Sequence, residues 1–147
     1  MTTKQLEKIA YKNLWKQGTY LCFEIGIPNP KGRGYKQSER VDLLSYETRG
    51  IWRFYELKIS KPDFNSDCKL SWYGHFNYYI MPSDLYEKVK DEIPNNIGVY
   101  LANENGYFWC VKKPKRQKLM IEHDSLMFAL MQGLSREYKK YRKLLKV

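Results

Sequence analysis

The chain has 147 residues, a net charge of +10 and a sequence pI near 9.4, with 43% hydrophobic and 16% aromatic residues. That length suits one domain that buries a sheet between helices, so residues 1–147 are read as a single domain, and the positive charge suits a polyanionic partner. No run of about 18 apolar residues is available to span a bilayer, and Met1–Glu7 lacks the apolar core of a signal peptide, so no membrane role and a cytoplasmic location are expected.

In chain order, Leu6, Ile9, Ala10, Leu14 and Trp15 recur at helical spacing from Thr3 to Gln17, and Gly18 ends that pattern. Glu7 lies on this helix, either as a solvent-facing charge among Lys4, Lys8 and Lys12 or turned toward a site. Tyr20–Ile27 reads as a strand. Glu24 within it stands between Phe23 and Ile25, and an acid in so apolar a strand needs a partner. Residues 28–39 form a turn-rich loop in which Lys31, Arg33 and Lys36 interleave with Tyr35, a composition that fits either a solvated loop or an arm contacting phosphates and a base.

The informative pair of strands follows. Arg40–Tyr46 and Ile51–Ile59 flank Thr48-Arg49-Gly50, a loop whose last position takes a left-handed glycine. Pairing Glu47 with Ile51 sets Tyr46 opposite Trp52, Leu44 opposite Phe54 and Asp42 opposite Glu56, the last two with Cβ atoms about 5 Å apart. Alternation puts Trp52, Phe54, Glu56 and Lys58 on one face. Two carboxylates that close repel unless a cation or proton lies between them. Oxygen ligands favour a hard ion such as Mg²⁺, for which Mn²⁺ substitutes. Asp42 and Glu56 are therefore candidate metal ligands, Glu24 a third, and Lys58 the group that positions water or steadies phosphate charge.

Ser60-Lys61-Pro62-Asp63 reads as a helix start running to about Tyr73, with Phe64, Cys68 and Trp72 inward and Lys61, Lys69 and His75 bordering the cleft. Asn77–Met81 is a strand, Ser83 to about Ile93 a helix, and Ile97–Ala102 and Tyr107–Lys112 two strands joined by a polar turn. Residues 112–118 are the densest basic run, either solvated or a DNA-backbone clamp that includes Lys115 and Arg116. A final helix from Asp124 to Leu145 carries Leu126, Leu130, Leu134, Tyr141 and Leu145 at helical spacing, with cations toward its C-terminal end. Cys22, Cys68 and Cys110 are odd in number and form no Cys-x-x-Cys pair, so they are read as reduced thiols, and His75 and His123 do not complete a zinc site. The succession predicts an α/β fold, a mixed β-sheet with helices on both faces.

Val41-Asp42 and Glu56-Leu57-Lys58 resemble the signature of the PD-(D/E)XK nuclease superfamily, with Val41 where the superfamily name has proline. With Phe23-Glu24-Ile25, Lys61-Pro62-Asp63-Phe64, Asp67-Cys68-Lys69, Asn77–Ile80 and Ile97–Leu101, the chain is similar to the MmcB-like DNA repair branch across residues 20–118. The resemblance implies a restriction-endonuclease-like core, a Mg²⁺-dependent site and a nucleic-acid substrate. The expected function is a Mg²⁺-dependent DNA nuclease or repair protein. The alternatives are a non-cleaving nucleic-acid-binding protein, as in a contest between phage and host, and a protein-interaction domain. Many such nucleases pair to cut two strands, which makes a homodimer a candidate assembly, although the sequence shows no clear self-complementary patch.

Overall fold

The protein was analysed as a computed structural model, which describes residues 1–28, 37–66 and 72–147, with all side chains there except those of residues 37 and 38. The elements are α1 (Thr3–Leu14), β1 (Thr19–Pro28), β2 (Gln37–Glu47), β3 (Ile51–Leu57), α2 (Lys61–Ser66), β4 (Phe76–Pro82), α3 (Ser83–Val89), β5 (Gly98–Ala102), β6 (Phe108–Lys112) and α4 (His123–Leu145). The strands form one six-stranded sheet in sequence order. β1, β2 and β3 are antiparallel, β3, β4 and β5 are parallel, and β6 returns antiparallel to β5. The two parallel steps use α2 and α3 as crossovers, as parallel pairing requires. The predicted α/β mixed sheet with helices on both faces is the fold observed.

Each face has its own core. On one, Leu6 and Ala10 of α1 pack with Leu21, Leu43, Tyr55, Leu57, Tyr78 and Ile80. On the other, Leu126, Ala129 and Leu130 of α4 cover Cys22, Leu44, Trp52 and Phe54, and α3 covers Tyr79, Met81, Val99 and Leu101. Alternation in β3 decides the split: Trp52 and Phe54 go to α4, Tyr55 and Leu57 to α1. The β2–β3 turn is as predicted, since Gly50 has φ +90° and its amide donates to the Glu47 carbonyl at 2.8 Å. That turn fixes the register Glu47–Ile51, Tyr46–Trp52 and Leu44–Phe54.

Three expectations are corrected. β2 begins at Gln37, so the end of the predicted 28–39 loop is strand. The second helix does not reach Tyr73: Trp72 has φ +50°, a left-handed backbone that cannot continue an α-helix, although Trp72 and Phe64 still pack on the α3 core. The outer half of α4 is not core. Leu126 and Leu130 are buried, but Tyr141 and Leu145 are at least half exposed because the helix extends past β1, its principal partner.

Candidate active site

At the C-terminal end of β3 the β2–β3 ladder stops at Leu43–Tyr55, one pair short of the predicted Asp42–Glu56 pair. The Asp42 carboxylate explains the break: Oδ2 accepts the Leu57 amide at 2.9 Å, so that amide is satisfied by a side chain. A second irregularity faces it. Between the Phe23–Leu43 and Ile25–Val41 pairs, Glu24 and Asp42 lie opposite each other without bonded register, and Glu24 has φ +54°. Alternation reverses there. Cys22 and Leu44 share the α4 core with Ile25 and Val41, which regular strands would send to opposite faces. A positive φ at a non-glycine residue persists only where surroundings enforce it. Here Arg136 of α4 enforces it, with Nη2 donating to the Phe23 carbonyl at 2.8 Å and Nη1 to the Glu24 carbonyl at 3.0 Å.

The kink opens a cleft of about 210 Å³ whose walls include Glu7, Glu24, Asp42, Lys58 and Asp63. Thr3 also lines it, so the N-terminal turn of α1 adjoins the acids, and the Thr2 capping box has already satisfied part of that helix end. Lys58 is only 2% exposed, and its ammonium donates to the Asp63 carbonyl at 3.1 Å. Asp63 Oδ2 accepts the Ile59 amide at 3.0 Å, and its own amide donates to Ser60 Oγ, the predicted helix cap. Burial pushes the Glu7 carboxyl above its ordinary range; Lys4 opposes the rise, and the negative charges of Glu24 and Asp42 add to it. Glu7 therefore takes the site-facing alternative of the two that sequence left open.

Of the predicted constellation, Asp42, Lys58 and Glu24 come together. Glu56 is 5% exposed and in register with Tyr79, and alternation assigns it to the face of Trp52 and Phe54. It is not among the residues lining this cleft. The predicted close facing of Asp42 and Glu56 assumed a regular ladder, and the turn of the Asp42 carboxylate to the Leu57 amide removes that regularity.

Among the described residues the donor set is oxygen-rich and contains neither imidazole nor thiolate, which suits a hard divalent ion. Among the described residues no three His, Cys, Asp or Glu side chains form a ready-made metal cage. Mg²⁺ does not need one, since it takes one or two carboxylates and completes its octahedron with water and substrate oxygens. A larger cleft, about 480 Å³, lies between α1 and the 103–106 turn, but among the described residues Glu104 is the only acid on its walls, beside Lys8 and Lys12.

Lys61 is exposed at the start of α2, close in sequence to the cleft residue Asp63. Lys115 and Arg116 are not at this cleft. The Lys115 amide bonds Asn96, and the Arg116 guanidinium lies 5.7 Å from the Phe76 ring centroid, both at the N-terminal ends of β4 and β5. The cleft is at the other end of those parallel strands, where the Lys58 amide bonds the Ile80 carbonyl. The 113–121 segment is tied across that far end of the sheet, and His75, expected at the cleft border, lies there as well, its Nδ1 accepting the Trp52 amide. Lys31, Arg33, Lys36 and Lys69 lie outside the described residues. Sequence reasoning missed Arg136, whose charge read as one of many complements to the helix dipole; nothing in the pattern distinguishes it from its neighbours.

No protein-family profile matches the chain, and no curated protein does. A solved structure does: a protein of unknown function from Silicibacter pomeroyi, 17% identical, aligning over 98% of this chain and 91% of that one with a TM-score of 0.72. At that identity the likeness establishes a shared fold. No helix among the described residues is long and apolar enough to cross a membrane.

Proposed function

We propose that this chain is a Mg²⁺-dependent DNA nuclease built on a restriction-endonuclease-like core. The observation that carries the reading is the meeting of Glu24 of β1, Asp42 of β2 and Lys58, which directly follows β3, in one cleft where strand pairing is interrupted. Asp42 and Glu24 would hold the ion, with Glu7 near enough to bond its waters. A bound Mg²⁺ supplies an acidified water and neutralises phosphate charge. Lys58, fixed by the Asp63 carbonyl, presents a buried cation at the position where a phosphodiester would enter. Asp63 holds the Ile59 amide and so keeps the backbone after Lys58 in place. Lys61, two residues before Asp63 in sequence, together with Lys31, Arg33 and Lys36, would neutralise flanking phosphates.

One observation favours a second reading, a DNA-binding protein on the same scaffold that does not cleave: Glu56, the expected second ligand, is absent from the cleft wall. One experiment separates the two. The purified chain is incubated with supercoiled, linear, single-stranded and branched DNA in Mg²⁺, Mn²⁺ or EDTA, beside the Asp42→Ala variant. Metal-dependent cleavage lost in Asp42→Ala, with DNA binding retained, supports the nuclease; binding without cleavage in every lane supports the second reading; and no binding at low salt removes both.

A further inference from the structure

A second pocket, about 220 Å³, opens on the α1 face at the opposite end of the strands, between the C-terminal end of α1 and β1–β5. Its walls include Lys16 and Arg53, the hydroxyls of Thr19 and Ser45, and the phenols of Tyr55, Tyr78 and Tyr100. Among the described residues no carboxylate lines it. Glu47, just outside, holds Arg53 Nη1 at 2.8 Å and so orients the guanidinium while occupying one of its donors. Arg53 and Arg116 both lie over the Phe76 ring, at 5.3 and 5.7 Å from its centroid, which adds a further positive charge to this edge.

The phenols form a stacked floor. Tyr55 and Tyr78 are 4.9 Å apart and nearly parallel, and Tyr100 lies 5.1 Å from Tyr78. Burial raises all three, Tyr100 to about 12, so each keeps its proton at neutral pH and can donate it in a hydrogen bond. Thr19 is 7% exposed, and its hydroxyl is the one buried side-chain polar atom among the described residues with no hydrogen-bond partner. Such an atom calls for a partner from outside the chain. Donors outnumber acceptors, charge is positive, and the volume is below the roughly 300–1,000 Å³ of pockets for drug-sized ligands.

From this geometry we infer that the Lys16–Thr19–Arg53–Tyr100 pocket binds a phosphoryl group, either a free phosphate or the terminal phosphate of a nucleic-acid strand. Arg53 to Leu57 along β3 is about 13 Å, so the pocket is distinct from the acidic cleft and does not depend on the function proposed for it.

Calorimetric titration with potassium phosphate, against potassium chloride at matched ionic strength, tests the site. A 5′-phosphorylated oligonucleotide and its 5′-hydroxyl twin, both in EDTA, distinguish the source. Saturable phosphate binding is expected, weakened about tenfold by Lys16→Gln combined with Thr19→Val and again by Tyr100→Phe, and unchanged by Asp42→Asn. Preference for the phosphorylated strand identifies a strand end; equal binding of the two strands, with free phosphate still bound, identifies a small phosphate. Phosphate binding no tighter than chloride, or folded variants that bind as well as the native chain, would overturn the proposal.

Discussion

The guanidinium of Arg136 and the backbone of Glu24 form the joint that opens the acidic cleft. Two nitrogens of one planar group bond the carbonyls of Phe23 and Glu24, at 2.8 and 3.0 Å, and hold Glu24 at φ +54°. Arg136→Lys keeps the charge but not the fork. The expected loss is about 1.5–3 kcal/mol of stability, the range for hydrogen bonds that involve a charged group, together with weaker divalent-ion binding. Chemical denaturation and a Mn²⁺ titration measure the two effects. A variant as stable as the native chain with unchanged ion affinity would show that the kink maintains itself.

Asp42 has two roles that one substitution can separate. Asp42→Asn retains an oxygen able to accept the Leu57 amide but lacks the negative charge. Stability should change by less than about 1 kcal/mol, while Mn²⁺ affinity falls at least tenfold, a ratio of about 1.4 kcal/mol. Glu24→Gln should behave alike. Glu56→Gln is the comparison: if it leaves ion affinity unaltered, the Glu24–Asp42 pair is the ligand set, and if it removes binding, Glu56 turns into the cleft when the ion arrives.

Much of this was legible in the chain, and the failures share a cause. Thr48-Arg49-Gly50 fixes the hairpin register locally, so Leu44–Phe54 and Tyr46–Trp52 follow from turn chemistry alone. Glu24 stood out as an acid among apolar neighbours, and Asp42 and Lys58 as charges inside strands. The kink did not, because alternation assumes regular pleating, and the group that breaks the pleat, Arg136, is more than a hundred residues away. Glu7 was ambiguous since helical periodicity gives an angle around α1 but not the acids that face it. The outer turns of α4 carry the same apolar spacing as the inner ones, and only the extent of β1 beneath decides which are covered.

Trp52 is held by two histidines and should report on acid. Its amide donates to His75 Nδ1 and its indole nitrogen to His123 Nδ1, both at 3.0 Å. Burial lowers the His75 pKa below its ordinary value, with Arg116 and Arg53 adding to the shift. A depressed histidine favours the folded state while neutral, so its contribution is complete above about pH 6.5 and is lost as pH falls through the folded value. Native melting temperature should therefore drop between pH 7 and 5 by more than that of His75→Gln. Parallel curves for the two proteins would count against the assignment.

Glu7 gives the opposite sign and links stability to the ion. Its folded pKa is raised, first by burial and then, against Lys4, by Glu24 and Asp42, so the folded chain binds the Glu7 proton more tightly than the unfolded chain. Stability from this group is complete below about pH 4.3 and declines as pH rises through the folded value. Glu7→Gln should match the native chain near pH 4 and exceed it at pH 7 without divalent ions. A divalent cation in the cleft offsets the same repulsion, so Mg²⁺ should raise the native melting temperature more at pH 7 than at pH 5. In Glu7→Gln that difference should shrink. Equal Mg²⁺ stabilisation at both pH values in the native chain would place the ion, if bound at all, away from Glu7.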